Sequence, residues 1–93
     1  MNVEHDEPNH RFVSRQPNGS GELVYLLPRE GVIDLHHTDV DPALQGQGIA
    51  AALAEAAFEY ARAHGKKVMV TCPYVKSWLQ RHPEHQDLVV SQA

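Results

Sequence analysis

The 93-residue sequence holds a single cysteine, Cys72, which excludes an internal disulfide and fits a reducing, cytoplasmic compartment. Lys and Arg number eight against twelve Asp and Glu, a formal net charge of −4, and the basic residues form no stripe. Neither a nucleic acid nor an acidic membrane surface is therefore an expected partner. No apolar run approaches the roughly 20 residues of a membrane-crossing helix. The first ten residues, MNVEHDEPNH, have no apolar stretch of the kind a secretion signal needs. There is no Cys pair and no carboxylate cluster to complete a metal site around the spacing His82-x-x-His85, and Pro83 interrupts that pair. No metal is expected.

What is present is the composition of a globular chain, 42% hydrophobic and 22% charged. This length makes one small domain with a thin core. Residues 1–10 read as a polar lead-in and 11–93 as the domain. RFVSR (11–15) and ELVYLLPR (22–29) read as strands of a hairpin across the turn formers QPNGSG. GVIDLHHTDV (31–40) alternates as a third strand, with Ile33, Leu35 and His37 on one face and Val32, Asp34 and His36 on the other. Asp41-Pro42 breaks it. A helix follows from Gly46 or Gly48 to His64, with Ile49, Leu53, Ala56 and Tyr60 on one face, Phe58 off that stripe and Gly65 just past the end. KKVMVTC (66–72) is a buried strand, PYVKSWLQRH (73–82) a short helix, and QDLVVSQA a candidate last strand. The order is β-β-β-α-β-α. The strand, helix and strand over 31–72 form a right-handed βαβ unit with parallel strands, so the class is α/β or α+β with a mixed sheet.

The stretch DPALQGQGIAAAL puts Gly46 and Gly48 at the opening of the long helix. Free N–H groups, a helix dipole and backbone without side chains make such a loop an anion site suited to phosphate. A plain turn with close packing is the competing reading. The loop is not a Walker motif, because no Gly-Lys-Ser/Thr follows, and it is not a dinucleotide fingerprint, because position 51 is Ala.

QGQGIA, Gln45 to Ala50, matches the Gln/Arg-x-x-Gly-x-Gly/Ala signature of the GNAT N-acetyltransferase superfamily. Together with HTDVDPALQGQGIAAAL and CPYVKSWLQRHPEHQDLV it resembles the minimal single-domain GNAT subfamily of roughly 100 residues, over about residues 11–90. That resemblance implies a GNAT-like mixed sheet whose parallel strands splay around acetyl-CoA. It implies that Gln45, Gly46, Gln47, Gly48, Ile49 and Ala50 bind the pyrophosphate of CoA. It further implies that Val40 hydrogen-bonds the pantetheine arm through its backbone, and that the acetyl group lies near Cys72. The partners would be acetyl-CoA and an amine acceptor, a protein or peptide amine included.

Two departures from the family pattern bear on catalysis. The family's usual acid is a Tyr seven residues after an Asn on the fifth strand. Here Cys72 stands at the Asn position and the seventh residue is Leu79, beside Trp78, while Tyr74 is out of register. Cys72 is itself a candidate nucleophile for an acyl-enzyme, or a small buried packing residue. His37 and Asp39, sharing a face, are candidate base residues, with His36 pointing away. Lys66 and Lys67 are either solvated or in reach of the CoA 3′-phosphate. The sequence thus supports two readings: an acetyl-CoA-dependent N-acetyltransferase, and a CoA- or acyl-CoA-binding module with little catalysis.

Overall fold

The computed structural model describes residues 2–90. Five strands form one sheet in the order β1-β2-β3-β4-β5: β1 Glu4–Asp6, β2 Arg11–Gln16, β3 Gly19–Arg29, β4 Val32–Val40 and β5 Lys67–Val70. The first four strands are antiparallel neighbours, and β5 runs parallel to β4. Helix α1, Ile49–Ala63, crosses between β4 and β5, and helix α2, Pro73–Gln80, follows β5. This is the mixed sheet with β-β-β-α-β-α order that the sequence predicts, with one strand added. Glu4–Asp6 pairs with Arg11–Val13 rather than merely leading in. Ion pairs of Arg15 with Glu4 and of Arg11 with Asp6 hold this short edge. Charge on an edge strand also guards it against pairing with other chains.

Both helices lie on one face of the sheet and share one core. Phe12, Leu23, Tyr25, Ile33, Leu35, Val68 and Val70 from the strands meet Leu53, Ala57, Phe58, Val75 and Trp78 from the helices. The predicted stripe on α1 is broader than the sequence spacing suggests and turned toward the second helix. Ala54, Ala57, Phe58 and Ala61 are buried with Ile49 and Leu53, whereas Ala56 and Tyr60 are only half-buried. The reason is α2: Phe58 is 0% exposed and stacks on Trp78, with ring centroids 5.6 Å apart. At its other end α1 presses on β3. A Cβ at Gly21 would lie 2.7 Å from Ile49 Cγ2, so only glycine lets the helix start sit this close to the sheet.

Past α2, Pro83–Leu88 forms a 3₁₀ segment, and only Val89 bridges β5, in parallel with Val68. The candidate final strand is reduced to that bridge within the described residues, and positions 91–93 of it lie outside them. The 3₁₀ stretch ties back through Arg62, whose guanidinium is 2.9 Å from both Asp87 carboxylate oxygens. No helix among the described residues is long and apolar enough to cross a membrane.

Candidate functional site

The site is built where β4 and β5 part. Their pairing runs from Val32↔Lys67 to Leu35↔Val70 and stops there. The N–H groups of Thr71 and Cys72 both point at the Leu35 carbonyl, at 3.1 and 3.0 Å, a fork that turns the chain out of the ladder and into α2. Strand β4 continues alone on that side to Val40. The result is a wedge with its apex at Leu35, Thr71 and Cys72, opening toward the glycine loop.

The loop occupies the wide end. Gly46 and Gly48 have φ of +80° and +78°, and nothing lies within 4 Å of a Cβ built on either. A left-handed conformation costs an L-residue about 1–2 kcal/mol, so glycine is required by the backbone and not by crowding. Gly48 caps α1 without a side-chain bond. The first bond inside the helix joins Ala52 N–H to the Gly48 carbonyl at 3.0 Å, which leaves the N–H groups of Gly48, Ile49, Ala50 and Ala51 ahead of the ladder. Gln45 ties the loop to the strand end, its Nε2 donating to the Val40 carbonyl at 3.1 Å. A cleft of about 230 Å³ lies here, lined by Val40, Leu44, Gln45, Gly46, Gly48, Ile49, Ala50, Ala51 and Tyr74. Of the predicted cofactor residues only Gln47 is not in its lining. Leu44, Ala51 and Tyr74 were not foreseen there. Leu44 and Ala51 carry no chemical signal, and Tyr74 enters because α2 begins right after the fork. Burial raises the pKa of the Tyr74 hydroxyl above its ordinary value, with Arg81 opposing and Cys72 adding, so the phenol keeps its proton at neutral pH.

The candidate catalytic residues are not gathered into one cluster. Cys72 is 2% exposed and belongs to the core on the helix-covered side of the apex, its Sγ 3.3 Å from Thr38 Oγ1. His37 and Asp39 are exposed on the opposite, helix-free face. Thr38 was not predicted; its Cys72 contact arises from tertiary packing.

The predicted alternation of β4 fails at its middle. Tyr25 pairs with Leu35 but Val24 pairs with His37, so one residue of β4 is extra there, a β-bulge. Leu35 stays on the core face and His37 is turned to the helix-free face, not the face of Ile33 and Leu35 as expected. His36 does not point away from His37. It shares the helix-free face, because its Nδ1 lies 3.1 Å from Thr71 Oγ1, and that hydroxyl also donates to Asp34 Oδ1 at 2.9 Å. Asp34, 6% exposed, is the only acidic side chain that is buried among the described residues.

Lys66 and Lys67 stand at the start of β5, beside Val32 and Gly31, at the edge of the sheet remote from the glycine loop. That position removes them from reach of a phosphate bound at the loop. No group of three or more His, Cys, Asp or Glu suited to a metal occurs among the described residues. His82 leans on Glu84 at 3.5 Å, and His85 stacks on Phe58 with centroids 5.2 Å apart.

A family model described as GCN5-related N-acetyl-transferase matches residues 11–88. Protein NATD1 of Gallus gallus and of Homo sapiens are each 34% identical to this chain over 91 residues. Those matches span 95% of this chain and 82% and 80% of the two relatives. The solution structure of a GCN5-like protein from Staphylococcus aureus superposes with a TM-score of 0.74 at 25% identity, covering 100% of this chain and 91% of the other.

Proposed function

The chain belongs to the GCN5-related N-acetyltransferase family, and from that premise we propose that it uses acetyl-CoA as donor and acetylates a primary amine presented by a protein or peptide. The observation that carries this reading is the wedge itself: two left-handed glycines and a bare helix N-terminus at its wide end, and parted parallel strands at its apex. A pyrophosphate on the amides of Gly46 to Ala50 is held by hydrogen bonds and by the helix dipole. From Val40 back to His36 is four residues of strand, about 13 Å, which is within the reach of an extended pantetheine arm. The backbone of β4 offers that arm hydrogen bonds on the side that β5 has left. The thioester then arrives at Leu35, Thr71 and Cys72.

The two sides of the apex differ. Helices α1 and α2 fill the side of Cys72, while no helix covers the side of His36, His37 and Asp39. An acceptor amine therefore meets the thioester from the helix-free face, and an open face accommodates a polypeptide side chain or chain end better than an enclosed pocket would. Direct transfer needs only this face. An acyl-enzyme on Cys72 needs the thiol to reach the thioester from the packed side and release its Thr38 contact. Cys72→Ala separates the two: direct transfer survives it, an acyl-enzyme does not. A binding module with little catalysis is the second reading, favoured by the absence of a tyrosine at the family's acid position, where buried Leu79 stands.

The test is titration of the ¹⁵N-labelled protein with CoA and acetyl-CoA, followed by mass-spectrometric assay of a panel of lysine and N-terminal peptides. Amide shifts at Gln45 to Ala50 and acetylated peptide are expected. Shifts without any acetylated product support the binding module. No shifts at the loop refute both readings.

A further inference from the structure

We infer that His36 is the general base for the acceptor amine, with Thr71 and Asp34 as positioning residues that fix its tautomer. This deepens the acetyl-transfer reading above and rests on it. The argument is one of donors and acceptors. Asp34, buried and carboxylate-bearing, only accepts hydrogen bonds when ionised. The Thr71 hydroxyl has a single proton, and it donates that proton to Asp34 Oδ1 at 2.9 Å. What Thr71 Oγ1 offers to His36 Nδ1, 3.1 Å away, is therefore a lone pair. Nδ1 must carry the hydrogen, and Nε2 is left bare on the exposed side of the ring. The free histidine side chain prefers the other tautomer, so the chain Asp34–Thr71–His36 does specific work: it aims an unprotonated nitrogen at the helix-free face.

The position fits the task. Thr71 sits in the fork at the Leu35 carbonyl, and His36 is the next residue along β4 after the last one paired with β5. His36 lies on the face of Asp34, and the bulge turns His37 to that face as well, where regular alternation would set it on the core face. His37, its neighbour, makes no side-chain hydrogen bond among the described residues, so nothing orients its ring in the same way. Asp34 would otherwise be an unexplained charge in the apolar run Val32–Leu35.

The step balances as follows. The amine nitrogen bonds to the thioester carbonyl carbon and the carbon–sulfur bond breaks. The amine proton passes to His36 Nε2. Sulfur leaves with the bonding pair and takes a proton from solvent, and the imidazolium returns its own to solvent. The products are the amide and CoA thiol, and the protein is unchanged.

Two readouts test this. In long-range ¹H–¹⁵N spectra of the free protein at neutral pH, His36 should appear as the Nδ1–H tautomer, and Thr71→Val should revert it to Nε2–H, while Thr71→Ser should not. In kinetics with acetyl-CoA and an acceptor from the peptide panel, His36→Ala should lower kcat by about 10²–10⁴-fold with little change in KM for acetyl-CoA. Added imidazole should recover part of that loss. Thr71→Val should follow His36→Ala, and Thr71→Ser should stay near wild type. His36 is exposed, so its replacement should fold, and amide shifts with CoA report an intact loop in every variant. An Nε2–H tautomer in wild type, or wild-type kcat in His36→Ala with CoA still bound, overturns the assignment. So does a loss confined to His37→Ala. Loss of CoA binding by wild type would instead refute the acetyl-transfer reading itself, and this inference with it.

Discussion

Gly48→Ala should damage CoA binding far more than it damages the fold, and Gly65→Ala should do the reverse. The two glycines are matched probes. Gly48 has φ +78° and Gly65 φ +65°, and neither has an atom within 4 Å of the site of an added Cβ. Each substitution therefore costs about 1–2 kcal/mol of left-handed strain and nothing in clashes. For a domain of this size about 1 kcal/mol shifts Tm by roughly 4–8 °C, so both variants should melt lower by similar amounts. They differ in what lies outside the backbone. The methyl at Gly48 enters the cleft at the start of α1, the proposed pyrophosphate site, and the one at Gly65 enters solvent past the end of α1. Losing one charge-assisted hydrogen bond to a phosphate costs about 1.5–3 kcal/mol, or on the order of 10- to 100-fold in Kd. Isothermal titration with CoA and a thermal melt of each variant measure both quantities. Wild-type affinity in Gly48→Ala refutes the placement of the pyrophosphate. Equal losses of affinity in the two variants show that destabilisation alone is being read.

Two further outcomes probe the fold. Phe58→Ala should cost about 3–5 kcal/mol, because the ring is fully buried between α1, Trp78 and His85. That is a large share of the roughly 5–15 kcal/mol that holds a typical domain together. A urea midpoint near wild type would show that the helix–helix core is not what joins α2 to the sheet. The second concerns His5, stacked on Phe12 and set edge-on to Tyr60, with Nε2 2.6 Å from the Tyr25 hydroxyl. Burial is the main cause that lowers its pKa below the ordinary 6.5, with Glu7 opposing, His64 adding and Asp6 opposing. The unfolded chain then takes up this proton before the folded one does. The contribution of His5 is full above that ordinary value and is lost as pH falls through the lower folded one. Tm should drop on acidification from about pH 7 to 5, and His5→Gln should flatten that slope. An unchanged slope would place the acid sensitivity elsewhere.

Much of this protein is local and therefore legible in its residues. The hairpin follows from Asn18 and the strand formers around it, the end of β4 from Asp41-Pro42, and the end of α1 from Gly65. The loop is legible for the same reason, since a left-handed backbone at Gly46 and Gly48 selects its residue type position by position. What the sequence pattern misassigned depends on partners distant in the chain. The short strand Glu4–Asp6 exists because Arg11 and Arg15 of β2 lie opposite its acids. The buried stripe of α1 is turned toward Phe58 because a second helix, twenty residues on, supplies Trp78.

The site divides in the same way. Its glycine loop is a property of consecutive residues, and the sequence alone determines it. That His37 joins His36 on the helix-free face is decided by a register shift between β3 and β4. A single extra residue in one strand reverses the side of every residue after it, and no run of β4 taken alone records which residue is extra. The fork that brings Thr71 to His36, and Cys72 to Thr38, likewise needs β5 laid beside β4. Only the folded sheet sets one of these contacts on its open face and the other in its core.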